Sequence, residues 1–269
     1  MASVKFGNGL IWPAEAIWQA VSPSWPDFTV EILPQIDSTN SELMRRARAG
    51  RLEPTLLVAE RQTAGRGRLG KEWLSSDLMD GASLTFSVGL PMAPLDWFGL
   101  SLAVGLSIVE SLHPSLQLKW PNDVWFQGRK LGGVLIETVC VGDVRFAVIG
   151  VGINIQARDA AGLQTPPAAL VEVLPDFTAP MALLQIAPKL LQDLKRFEAF
   201  GFEKLRTAFH ARDLLYGLTV LCSNNISGIA WGVDANGALL VHTIAGVKKI
   251  SSAEVSIRPD PAVDLTNTH

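Results

Sequence analysis

The chain has 269 residues, of which 48% are hydrophobic, and a formal charge of −3. That is enough apolar material for a sizeable core in one large domain or two. It lacks the basic surplus of a protein that lives on duplex nucleic acid. No apolar stretch reaches the ~18 residues that cross a bilayer, and no basic segment followed by an apolar run marks a signal peptide, so a cytoplasmic protein is expected, with no membrane contact. Cys140 and Cys222 are both flanked by apolar residues and show no C-x-x-C or metal spacing, which reads as two reduced core cysteines.

Residues 1–28 carry Trp12, Trp18 and Trp25 among prolines and glycines. One short helix over 14–21 between loops predicts an arm packed on the main domain. Residues 28–33 read as a strand. After them, Asp37-Ser38-Thr39-Asn40-Ser41-Glu42 opens a helix that runs to Ala49 and stops at Gly50, with Thr39 and Glu42 in capping-box spacing. Hydroxyls at a helix start either cap it or bind a polar ligand. A β-branched strand, 55–60, leads into Arg61-Gln-Thr-Ala-Gly-Arg-Gly-Arg-Leu-Gly-Lys-Glu-Trp73. Here Gly65, Gly67 and Gly70 alternate with cations, and no acid occurs between Arg61 and Lys71. Such a loop is either a soluble surface turn or a cationic flap that folds over an anion, with Trp73 as a flat cover.

A strand follows at 82–90, with Ser83, Thr85 and Ser87 alternating with apolar residues, and then a buried helix at 97–112. The run from Leu116 to Glu137 reads as strand, break at Pro121, strand, tight turn at Gln127-Gly128 or Gly128-Arg129, strand. Period-two alternation then places Asp123, Trp125, Lys130 and Gly132 on one sheet face, an acid and a cation beside a cleared space. Residues 145–155 form a buried strand in which Gly150 and Gly152 imply a close approach, and Asn154 ends it. Residues 157–178 are loop-like, and 181–212 are helical with a stripe of Leu183, Leu184, Leu190, Leu191 and Leu194. Pro188 is expected to kink or bound that helix, and Phe197, Phe200, Phe202 and Phe209 to anchor the core. Beyond Asp213, short strands at 217–222, 226–233, 238–242, 247–250 and 254–258 predict a small all-β barrel.

Taken together, these motifs resemble the biotin–protein ligase (biotin–[acetyl-CoA-carboxylase] ligase) family. Asp-Ser-Thr-Asn, Gly-Arg-Gly-Arg-Leu-Gly, Lys-Trp-Pro-Asn-Asp, Gly-Arg-Lys-Leu-Gly-Gly-Val-Leu-Ile-Glu and Gly-Val-Gly-Ile-Asn-Ile stand in the family's order, and Gly-Ile-Ala-Trp-Gly-Val-Asp with Ser-Ala-Glu-Val-Ser-Ile-Arg extends the match, which runs over residues 36–258. The resemblance implies an α+β fold: a mixed-sheet catalytic domain flanked by helices, related to class II synthetases, plus a C-terminal SH3-like barrel. The expected division is an arm at 1–28, a catalytic domain at 29–212, a barrel at 213–262 and a tail at 263–269.

It also implies a two-step reaction in which biotin and ATP, with Mg²⁺, give biotinyl-5′-AMP, and the biotinyl group passes to a lysine of a biotin carboxyl carrier domain. By similarity, Ser38, Thr39, Asn40 and Gln62 line the biotin pocket, with Arg66, Gly67, Arg68 and Gly133 around it. Lys130 bridges the biotin carboxyl and the α-phosphate as the principal catalytic cation, Arg68 assists, and Asp123 helps deprotonate the acceptor lysine. Trp73 packs on adenine, and Lys71, Asn122, Asp123 and Asn154 stand on the nucleotide side; the metal ligands stay unassigned. Lys71 replaces an Arg of many relatives, Ala253 replaces a common Gly, and no N-terminal DNA-binding domain is recognisable, so a monofunctional ligase is expected. The alternatives are a lipoate or octanoate ligase of the related family, or a non-catalytic biotin sensor. An unpaired sheet edge would leave a homodimer open.

Overall fold

The computed structural model describes residues 5–6, 10–73, 81–158, 166–223, 226–251 and 257–259. Its centre is a seven-stranded sheet. The strands are β1 (Thr29–Ile36), β2 (Thr55–Gln62), β3 (Ser83–Pro91), β4 (Gln117–Lys119), β5 (Asp123–Phe126), β6 (Arg129–Val141) and β7 (Val144–Asn154). Their order is β1-β2-β3-β7-β6-β5-β4, with β1 parallel to β2 and every other pair antiparallel, a mixed sheet as the sequence implied. Pro34, which lacks a ladder N–H, lies in β1 at the sheet edge, where that loss is tolerated.

The two faces of the sheet are chemically different, and this positions the site. On β3, Leu84, Phe86, Val88 and Leu90 join a large core with helices α1 (Ala14–Val21), α3 (Leu100–Leu112) and α4 (Ala179–Phe200). The alternate residues Ser83, Thr85 and Ser87 are buried on the opposite face, which carries helix α2 (Thr39–Arg48). Directly across from them on β7 stand Asn154, Gly152 and Gly150. A small apolar cluster of Leu43, Met44, Ala47, Leu57, Phe146 and Val148 seats α2 at one end of this face. Much of the rest of that face is polar or glycine, with Ser83, Thr85, Ser87, Gly133, Gly150 and Gly152 on it.

Several local expectations are corrected. The cap of α2 is Ser38, whose hydroxyl accepts from Ser41 N at 3.4 Å; Thr39 is the first helical residue, and Glu42 pairs with Arg45 and Arg46 instead of closing a capping box. The third helix starts at Leu100, behind Gly99 at φ 79°, leaving Trp97 outside it. Pro188 neither ends nor interrupts α4, because burial of Leu183, Leu190, Leu191 and Leu194 outweighs one lost backbone bond. Gly201, at φ 67°, does end it, so residues 181–212 are not one helix, and the short α5 (Arg206–His210) follows. Leu184 and Phe200 face outward, and Cys140 is exposed on β6, while Cys222 is buried as expected.

The C-terminal strands β8 (Thr219–Cys222), β9 (Ser227–Val233), β10 (Leu239–Thr243), β11 (Gly246–Ile250) and β12 (Ile257–Pro259) form an antiparallel sheet in the order β11-β10-β9-β8-β12. Pairing between β11 and β12, which would close a barrel, does not occur among the described residues. Most of the expected strand 254–258, with Ala253, lies outside them. Trp120 joins the two sheets, donating from Nε1 to Gly237 O at 2.9 Å. Among the described residues no helix is long and apolar enough to cross a membrane.

Asp213 sits in the seam between the sheets. Leu118 N donates to Arg212 O and Leu214 N to Leu118 O, while Asp213 Oδ1 accepts from Leu215 N at 3.0 Å. Its Oδ2 is buried with no hydrogen-bond partner. Burial pushes the carboxyl up to about 6 from an ordinary 3.8. An acid with a raised folded-state pKa destabilises the protein progressively as pH rises from about 4 to about 6, and the penalty then levels off. The gap corresponds to about 3 kcal/mol. Asp213→Asn keeps the acceptor for Leu215 and cannot ionise, so the difference in Tm, variant minus native, should be more positive at pH 8 than at pH 5. An equal difference at both pH values would show that the carboxylate is compensated in the seam.

Candidate active site

The side-chain-poor face of the sheet carries a cavity of about 330 Å³, lined from α2, β2, β3, the Gly/Arg loop, β5, β6 and β7. Its two ends differ. At one end are Ser38, Thr39, Asn40 and Gln62, neutral hydroxyls and amides. Thr39, released from capping, turns to the sheet: its N–H donates to Gln62 Oε1 at 2.7 Å, and its hydroxyl lies 2.7 Å from Ser87 Oγ. Ser87 Oγ in turn donates to Asn40 Oδ1 at 2.6 Å. Gly150 makes room for this group, since a Cβ there would lie 2.1 Å from Asn40 Oδ1.

At the other end are cations. Lys130 lies directly opposite Trp125, joined through the tight turn Gln127-Gly128, where both residues have positive φ. Its ammonium donates to Asp123 Oδ1 at 2.7 Å. A β-bulge between Lys130 and Gly132 then shifts the register by one residue. Gly133, not Gly132, therefore stands opposite Asp123 and clears the floor: a Cβ at 133 would lie 3.3 Å from Asp123 Oδ1 and 3.4 Å from Lys130 Nζ. Gly132 instead packs closely on Gly152 O. The even-register reading of this hairpin thus fails at one glycine and holds for Asp123, Trp125 and Lys130.

The Gly/Arg loop lies over this end. Strands Gly65–Arg66 and Glu72–Trp73 pair, and Gly67 N donates to Lys71 O at 2.7 Å. Arg68 reaches inward and donates to Asn122 Oδ1 at 3.1 Å; burial lowers its pKa from the ordinary value, and the nearby Asp123 charge opposes that shift. Arg66 grips Glu137, with Nη2 to Oε1 at 2.9 Å and Nη1 to Oε2 at 3.3 Å. The Trp73 indole lies flat against Gly152, where a Cβ would be 2.5 Å from the ring, and the Arg158 guanidinium stands 5.7 Å from the ring centroid. The approach implied by Gly150 and Gly152 is thus made by two side chains of the chain itself, Asn40 and Trp73.

Of the sequence-derived site residues, Ser38, Thr39, Asn40, Gln62, Arg66, Gly67, Arg68, Lys71, Trp73, Asn122, Asp123, Lys130 and Gly133 all line this one cavity. Asn154 does not. It is buried, and its Nδ2 donates to Ala168 O at 3.1 Å. Its Oδ1 is buried without a hydrogen-bond partner among the described residues. Sequence reasoning missed Lys119, which lines the cationic end with its ammonium 4.2 Å from the Trp125 ring centroid, as well as Ser87 and Glu137. Lys119 could have been found from its place two residues from Pro121 on a strand of known face. Glu137 could not, because its partners lie 71 and 97 positions away.

Residues 32–154 match the biotin/lipoate A/B protein ligase family, and residues 220–258 match the biotin protein ligase C-terminal domain. The biotin–[acetyl-CoA-carboxylase] ligase of Mycobacterium tuberculosis is 32% identical over 84% of this chain and 88% of its own length. The bifunctional ligase/repressor BirA of Escherichia coli is 33% identical over 86% of this chain and 74% of its own. Among solved structures, the Aquifex aeolicus biotin protein ligase in complex with biotin and ATP superposes with a TM-score of 0.74 at 32% identity, covering 86% of this chain and 99% of that one.

Proposed function

The chain belongs to the biotin–protein ligase family, and from that premise we propose how its residues activate biotin with ATP and transfer it to a lysine of a biotin carboxyl carrier domain. The observation that carries this reading is the polarity of the cavity. A neutral donor–acceptor wall at Ser38, Thr39, Asn40 and Gln62 suits a ureido ring. A cationic end with Lys119, Lys130, Arg68 and Lys71 suits a carboxylate meeting a triphosphate.

In the first step a biotin carboxylate oxygen attacks the α-phosphorus of ATP, and pyrophosphate leaves. Two anions must come together, so fixed cations offset their repulsion and stabilise the charge of the transition state. Lys130, paired with Asp123 at the cationic end, bridges the two in this reading. Arg68, half-buried and tied to Asn122, closes the flap over them and keeps water from the mixed anhydride. Trp73 offers its indole to adenine. In the second step the acceptor amine attacks the acyl carbon and AMP leaves, carrying its phosphate oxygen. Asp123 takes the amine proton, since a lysine with an aqueous pKa near 10.4 needs a base or desolvation.

Mg²⁺ would accompany ATP and supply charge neutralisation at the phosphates. Phosphate oxygens and water would hold most of its coordination, the usual mode for this small octahedral ion. The division into an arm at 1–28, a catalytic domain at 29–212 and an SH3-like module at 213–262 is part of the same reading. So is a carboxylase carrier as the macromolecular partner.

Pyrophosphate–ATP exchange, run separately with biotin, lipoate and octanoate, tests the reading. Exchange with biotin alone is expected. Exchange with lipoate or octanoate would move the chain to the neighbouring activity, and no exchange by a folded protein that binds biotin would make it a sensor.

A further inference from the structure

Glu137 lies behind the neutral end of the cavity, and we infer that it is a positioning residue that fixes which hydrogen-bond pattern the cavity offers to the ring of biotin, and so the selectivity for that ring. The inference rests on the biotin reading above.

Asn40 Nδ2 faces Glu137 Oε2 at 3.1 Å and Leu135 O at 3.3 Å. A carboxylate and a backbone carbonyl only accept, so the amide nitrogen must point at them and Oδ1 must point the other way. Oδ1 also only accepts, so the proton of Ser87 is committed to it, across 2.6 Å. The 2.7 Å contact between Ser87 Oγ and Thr39 Oγ1 requires a proton between the two oxygens, and the one available is that of Thr39. Gln62 Oε1 is served by the Thr39 N–H at 2.7 Å and lies 3.1 Å from the Thr39 hydroxyl, a longer contact than the 2.7 Å to Ser87 Oγ, so the shorter one takes the hydroxyl proton. The Thr39 hydroxyl has then spent its only proton on the protein and offers the cavity lone pairs alone.

A ligand group meeting Thr39 must therefore donate, as a ureido N–H does; an ether oxygen or a carbonyl there would be repelled. The direction is set at the far end by two acceptors, of which the nearer, Glu137, carries a charge. Were residue 137 neutral and able to donate, Asn40 could turn over, Ser87 would donate to Thr39, and the Thr39 proton would pass to a ligand acceptor in competition with Gln62 Oε1. Gly150 leaves room for Asn40 to span the sheet and make the link. Glu137 also holds Arg66, so a change at 137 affects the flap as well. Ser87 touches the chain and not the flap, which separates the two effects.

The test compares biotin with two cyclic-carbamate analogues, each with one ureido N–H replaced by oxygen, in pyrophosphate–ATP exchange by the native enzyme, Glu137→Gln and Ser87→Ala. The native enzyme should reject one of the two analogues by about 100-fold or more in kcat/KM, the scale on which sites built around a hydrogen bond discriminate. Both variants should narrow that ratio at least about tenfold and raise KM for biotin, with KM for ATP changed less than about threefold, since one buried polar contact is at stake. Selectivity against the analogue that stays native-like in both variants would overturn the inference. So would a loss of ATP and biotin affinity in parallel, which a merely structural role gives. If Glu137→Gln fails to fold, Ser87→Ala decides by the same ratio. Failure of the native enzyme to use biotin would overturn the functional reading instead, so the two outcomes are distinguishable.

Discussion

Replacing Lys130 with Ala should lower biotin-dependent pyrophosphate–ATP exchange by about 10²–10³-fold or more, the cost of removing one preorganised charge aimed at a transition state. The effect on stability should be small. The Lys130 side chain is 42% exposed, and its only described ion pair is to Asp123, itself partly exposed; such pairs contribute little to folding. The variant should melt close to the native protein and still bind biotin through the neutral end of the cavity, more weakly for want of a carboxylate partner. Lys130→Arg keeps the charge but brings a planar fork in place of a point donor, and the hairpin places it against Asp123 and Gly133, so only partial activity should return. Exchange at near-native rate in Lys130→Ala would remove this residue from its role and shift attention to Arg68 and Lys119.

Much of this site was legible in the sequence because it is written in local patterns. Ser83, Thr85 and Ser87 alternate with apolar residues, so one face of β3 had to be polar, and Gly150 and Gly152 cleared the strand that pairs with it. The placement of Lys130 opposite Trp125 follows from turn chemistry. What was not legible depends on partners far away in sequence. The bulge after Lys130 is a one-residue slip that exchanges Gly133 for Gly132, and nothing in Lys-Leu-Gly-Gly distinguishes the two. The cap moves from Thr39 to Ser38, and Gln62, 23 positions on, takes the Thr39 amide. Pattern alone suggested a capping box because it weighs only neighbours in sequence. Cys140 looked like a core residue from its apolar flanks, but it lies near the outer end of the long β6–β7 hairpin, where burial gives out.

The Gly/Arg loop makes the second large prediction. In this structure two guanidinium groups fasten it: Arg66 to Glu137, which belongs to the neutral end, and Arg68 to Asn122, which belongs to the reacting end. Arg68→Gly removes the second tie and leaves the first. Lys130 and the neutral wall remain, so the adenylate should still form. A hydrogen bond from a charged group is worth about 1.5–3 kcal/mol, so escape of biotinyl-5′-AMP should speed by about 10–100-fold. The loop holds little in reserve against this loss. Its tip, Leu69, is 76% exposed and sits at φ 56°, a left-handed conformation that costs an L-residue roughly 1–2 kcal/mol. Freed adenylate acylates any accessible amine, so biotin should accumulate on the lysines of an unrelated bystander protein in the same tube, read by mass spectrometry. The native enzyme should leave the bystander unlabelled. Arg66→Gly should also loosen the loop, but in addition it strips Glu137 of its guanidinium and should raise KM for biotin, which Arg68→Gly should not. A native-like bystander result for Arg68→Gly, together with normal adenylate formation, would mean that the mixed anhydride is retained by contacts beneath the loop, and the loop would then serve ATP binding alone.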